Sequence, residues 1–89
     1  MKRSADFLLR EVAGTQVLVP VGPAAEGFYG MVTLNGTGVF LWELLDREQT
    51  LQSLTEALMA EYAVDQALAQ KDVEAFVGKL RATGAIVEN

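Results

Sequence analysis

The run Val39-Phe40-Leu41-Trp42-Glu43-Leu44-Leu45 constrains this chain more than any other segment, because Glu43 is its sole polar residue. A helix that is apolar on nearly every side has to be covered on more than one flank. In a chain of 89 residues that makes it the centre around which everything else packs. Asn35 stands just ahead of the run and has the side chain of a favoured N-cap. Gly36 and Gly38, in the first turn, weaken the helix intrinsically. They also leave room for a close junction with whatever precedes it.

What precedes it reads as strand. Phe7 to Val12 is apolar with interruptions, Ala13-Gly14-Thr15 supplies a turn, and Val17-Leu18-Val19 follows, closed by Pro20. A small-residue loop, 21–27, leads to a third strand from Phe28 to Thr33 or Leu34. Neighbours in sequence usually pair, so the expectation is one antiparallel sheet in sequential order. Beyond the central helix, Thr50 caps a second helix whose stripe is Leu51, Leu54, Leu58 and Tyr62. Asp65 caps a third, with stripe Ala69, Val73, Phe76, Val77 and Leu80, ending at Gly84. Ile86-Val87 either returns as a short strand or packs down. The fold class expected is α+β, winged helix-turn-helix-like: a three-stranded antiparallel sheet followed by a three-helix bundle, within a single domain spanning 1–89.

Composition then narrows function. With no Cys and no His, there is no thiolate nucleophile, no imidazole acid or base, and no common zinc ligand. Glu43, Asp46 and Glu48 lie close in sequence, but nothing specifies further ligands, so neither a metal nor a cofactor is expected. Asn35-Gly36-Thr37-Gly38 has neither Walker nor dinucleotide spacing. Non-catalytic binding is the reading. A net charge of −5 argues against a phosphate-backbone binder. No apolar stretch approaches the roughly 20 residues of a membrane span, so cytoplasmic localisation is the default.

Two surfaces stand outside a core-only explanation. The first strand carries Asp6, Arg10 and Glu11, charges that discourage edge pairing, whereas Phe28-Tyr29-Gly30-Met31-Val32-Thr33 carries none. That edge is either covered, by Ile86-Val87 or by a second copy of the chain, or open to a guest strand. On the third helix, Ala67, Lys71, Ala75, Gly78 and Ala82 lie opposite the core stripe. Gly78 costs about 1 kcal/mol against Ala in such a position, which close approach of another backbone would explain. Small residues merely tolerated on a helix surface explain the face more simply, since Ala is the best helix former.

The chain also resembles a known family. The residues that carry the resemblance are Phe7-Leu8-Leu9-Arg10-Glu11-Val12, Leu18-Val19-Pro20-Val21-Gly22 and Met31-Val32-Thr33-Leu34-Asn35, then Gly36-Thr37-Gly38 into Phe40-Leu41-Trp42-Glu43-Leu44-Leu45. Thr50-Leu51-Gln52-Ser53-Leu54, Leu58-Met59-Ala60-Glu61-Tyr62, Asp72-Val73-Glu74-Ala75-Phe76 and Leu80 complete it. In order and spacing these are similar to the PqqD family, small domains also called RiPP recognition elements. The resemblance implies binding of the leader segment of a ribosomally made precursor peptide, and its presentation to a modifying enzyme, often a radical SAM protein. It implies strand addition along Tyr29, Gly30, Met31, Val32 and Thr33, with a helix wall of Lys71, Ala75, Gly78, Lys79 and Ala82. Proline at Val32 would then weaken binding if that N–H faces the guest. In pyrroloquinoline quinone pathways the second strand carries a Trp and a longer aliphatic run ending in Pro-Glu. Here it reads Gln16-Val17-Leu18-Val19-Pro20, which leaves the quinone product and some other peptide product equally open. The competing classes are a winged-helix DNA-binding or regulatory module and a self-associating scaffold, the latter consistent with a homodimer.

Overall fold

The computed structural model describes residues 1–22 and 32–88. Three strands form an antiparallel sheet in the order β2 (Phe7–Val12), β3 (Thr15–Pro20), β4 (Val32–Leu34). Three helices follow: α1 (Gly36–Leu44), α2 (Leu51–Tyr62) and α3 (Gln66–Thr83). This is the α+β architecture expected from the sequence, including its sequential strand order. Phe28 to Met31, the start of the expected third strand, lies outside the described residues.

Hydrogen-bonding side chains set each helix start. Asn35 Oδ1 accepts from the Gly38 amide at 2.8 Å, and Asp65 Oδ1 accepts from Leu68 at 2.8 Å. Thr50 and Ser53 cap reciprocally, each side chain accepting from the other's amide. The chain leaves α3 through Gly84 at φ +81°, a left-handed conformation that costs glycine least. Gly38 provides the tight junction anticipated at α1: a Cβ there would sit 3.3 Å from Leu34 Cβ. Gly36 opens on empty space.

The core gathers Phe7, Leu18, Val32 and Leu34 from the sheet with Leu41, Trp42 and Leu45 of the α1 segment. Leu54 and Leu58 of α2 and Ala69, Val73, Val77 and Leu80 of α3 close it. The second helix departs from its expected stripe. Leu51 and Tyr62 are 37% and 44% exposed, and the covered face is Leu54, Thr55 and Leu58. Thr55 tolerates burial because its hydroxyl donates to the Leu51 carbonyl at 2.7 Å. Tyr62 instead meets Phe40 edge-on, centroids 5.6 Å apart.

Ile86-Val87 takes the first of its two expected forms, a short strand, and its partner is the new element. β1 (Lys2–Arg3) pairs antiparallel with β5 (Ile86–Val87). The Arg3 amide donates to the Leu45 carbonyl and the Ser4 amide to Ala85. Arg3 also lies 5.6 Å from the centre of the Trp42 ring and donates to the Trp42 carbonyl at 3.2 Å. The C-terminal segment therefore closes on the N-terminal one and does not cover the edge of β4.

Candidate functional site

Ladder parity decides which main-chain groups of β4 are free. Val21 N–H donates to the Asp6 carbonyl at 2.8 Å, one step beyond the Phe7–Pro20 pair of the β2–β3 register. Hydrogen-bonded pairs alternate in an antiparallel ladder, so Val19 and Val17 turn their polar groups towards β2. Leu18 and Gln16 then turn theirs towards β4, where they face Val32 and Leu34. Thr33, opposite Val17, is left pointing both its N–H and its carbonyl outward.

A side-chain contact agrees independently. Lys79 Nζ donates to the Thr33 carbonyl at 2.9 Å, across 46 residues of sequence. The condition attached to a proline at Val32, that its N–H face the guest, is therefore not met. Its N–H belongs to the ladder with β3, and its side chain is buried.

Between β4 and α3 runs an open groove of about 470 Å³. Thr33 and Leu34 line it from the strand, Gly38 and Leu41 from α1, and Asp72, Ala75, Phe76 and Lys79 from α3. The α3 residues sit at i, i+3, i+4 and i+7, the spacing of one helical face. Buried Ala69, Val73, Val77 and Leu80 set the rotation of the helix, so this face flanks the core stripe and looks towards β4. Of the residues anticipated from the sequence, the structure brings Thr33, Ala75 and Lys79 together here. Lys71, Gly78 and Ala82 are exposed and do not line the groove. An added Cβ at Gly78 would meet nothing within 4 Å, so no approaching backbone of this chain explains the glycine. Tyr29, Gly30 and Met31 lie outside the described residues.

Asp72, Phe76, Leu34 and Leu41 were missed as groove residues. Phe76 and Leu41 were assigned wholly to the core, but half-buried Phe76 serves both surfaces. The pairing of an apolar floor with a cation at one end and a carboxylate at the other suits an extended peptide better than a reacting small molecule. Among the described residues there is no cluster of three or more carboxylates able to hold a metal ion. Among the described residues no helix is long and apolar enough to cross a membrane.

Comparison with known proteins finds no match among curated sequences. Among solved structures, the chain is similar in fold to TbiB1 in complex with the TbiA(beta) leader peptide. The TM-score is 0.76 at 21% identity, covering 100% of this chain and 98% of that one. The family model described as coenzyme PQQ synthesis protein D (PqqD) matches residues 10–86. That match runs from the middle of β2 through β3, β4 and all three helices and takes in both walls of the groove, and the chain belongs to the PqqD family.

Proposed function

We propose that this chain is a non-catalytic peptide-binding protein that takes the leader segment of a ribosomally synthesised precursor as an added strand on β4. The observation that carries the reading is the outward-facing main chain of Thr33 beside a groove walled by α3. Main-chain bonds to an edge supply affinity, and alternate side chains entering a groove supply register. Membership in the PqqD family supports this, as does likeness in fold to a protein solved with a leader peptide. The bound leader would hold the precursor for a modifying enzyme, for which a radical SAM protein is the proposed partner. Ribosomal synthesis of the guest would place the encounter in the cytoplasm. The whole of 1–89 would act as one domain with no cofactor of its own.

Titration of the ¹⁵N-labelled chain with synthetic leader segments of candidate precursors tests the proposal. Amides of 32–34 and of α3 around 72–79 should shift together. Spectra unchanged at millimolar peptide would refute it. The DNA-binding alternative gains nothing from the groove, since Asp72 lines it beside Lys79 and the chain is acidic overall.

A further inference from the structure

The edge of β4 is not bare. The single outward carbonyl identified in the ladder is already held, by the Lys79 ammonium at 2.9 Å. Natural sheets blunt open edges with charge, Lys above all. Here the charge comes from a helix across the groove, beside a strand that carries none of its own. An added strand pairing with Thr33 needs that carbonyl for its own N–H and the space that the Lys79 side chain spans.

We propose that Lys79 is an exchangeable latch on the β4 edge, and that the guest releases it by supplying a carboxylate to the freed ammonium. This rests on the strand-addition reading above. Lys79 forms no ion pair among the described residues, so its carbonyl bond is the contact given up. The guest would cover the groove, and an ammonium deprived of both water and its acceptor is costly unless paired.

The geometry also specifies where the acid sits. The guest residue paired with Thr33 points its side chain to the same sheet face as the exposed Thr33 side chain. Its neighbours on either side point with Leu34 into the groove. Successive groove-facing guest side chains are about 6.7 Å apart. Along α3, Lys79, the Ala75–Phe76 pair and Asp72 follow at steps of about 4.5–6 Å. A strand lying along α3 thus meets, every second residue, a cation, an apolar floor and a carboxylate. The ligand class is an extended peptide with alternating acid, apolar and basic side chains, the acid at Lys79 and the base at Asp72.

The test selects 12-residue linear peptides from a phage-displayed library on the immobilised 89-residue chain, then resynthesises the strongest binder. Its groove-facing Asp or Glu is replaced by the amide, and both peptides are titrated against wild type and Lys79→Met. Methionine keeps helix propensity and bulk, so folding is preserved, and melting curves verify it. Against wild type, the amide peptide should bind about fivefold more weakly than the acid, the scale of a partly exposed ion pair. Against Lys79→Met the two peptides should bind alike. The amide peptide should bind this variant at least as tightly as wild type, there being no latch to break.

A binder that shifts the Thr33 amide yet carries no acid, or an acid-to-amide loss equal in both proteins, would overturn the latch and leave strand addition standing. Absence of any binder, or a binder that leaves β4 amides unmoved, would overturn both.

Discussion

Proline placed at two adjacent positions separates the inner from the outer side of β4. At Val32 the amide bonds inward to Leu18, a residue with no exposed surface. Removing that donor leaves a buried carbonyl unsatisfied and trims a buried valine, together about 2–4 kcal/mol. A chain of this length holds on the order of 4–13 kcal/mol in total, so Val32→Pro should lower the midpoint by roughly 10–30 °C. At Thr33 the side chain is exposed and the amide points outward, where a strand accepts proline. Thr33→Pro should therefore cost within about 1 kcal/mol of stability. It nonetheless removes one of the two main-chain bonds that the Thr33 pair would offer a guest, about 2–12-fold in affinity. Thermal melts followed by circular dichroism give the first quantity, and fluorescence anisotropy of a labelled peptide gives the second. Equal destabilisation by the two prolines would refute the parity argument. A folded Thr33→Pro that binds peptide like wild type would refute use of this edge.

Other substitutions probe the frame around the groove. Gly78→Ala, on an exposed helix face with open space around it, should stabilise by about 1 kcal/mol, raise the midpoint by roughly 4–8 °C and leave peptide affinity unchanged. Gly36→Ala should be neutral to stabilising by about 0.5 kcal/mol. Gly38→Ala should instead lose about 1 kcal/mol in urea titrations, because its Cβ would press on Leu34 Cβ and on the Asn35 oxygen that caps the helix. Arg3→Met should cost about 1 kcal/mol and alter the emission of Trp42, the chain's one tryptophan. An emission spectrum identical to wild type would place Arg3 elsewhere in solution.

The helices were legible because their starts are chemically marked. Asn35, Thr50 and Asp65 each put an oxygen where an orphan amide needs one, a local requirement that sequence displays directly. Which residues of α2 are covered was less legible. Leu51 and Tyr62 fit the 3.6-residue period but are the first and last residues of the helix, while Thr55 tolerates burial through its bond to the Leu51 carbonyl. The β1–β5 pair was illegible for a different reason. Two two-residue strands separated by more than 80 positions carry no periodicity, and their register depends on where α1 and α3 end.

The groove shows most clearly what a helical pattern does and does not determine. The stripe Ala69, Val73, Val77 and Leu80 fixes which side of α3 is buried, and all four are. The helix wall read from the sequence was Lys71, Ala75, Gly78, Lys79 and Ala82, of which only Ala75 and Lys79 line the groove. A peptide that must touch both a sheet edge and a helix cannot reach the far side of the helix. On the proposed reading it would meet the helix where the buried face turns towards the strand. Asp72, Ala75, Phe76 and Lys79 occupy that shoulder, centred within a turn of the core stripe, and Phe76 belongs to both surfaces. The same geometry accounts for the uncharged third strand. A lysine on the strand would have protected the edge permanently, since its own backbone would stay beside it. A lysine on the shoulder of α3 protects the edge while the groove is empty and can withdraw when a guest fills it. An open edge with a removable charge is compatible with both solubility and strand addition, which a charged strand or a buried edge would not be.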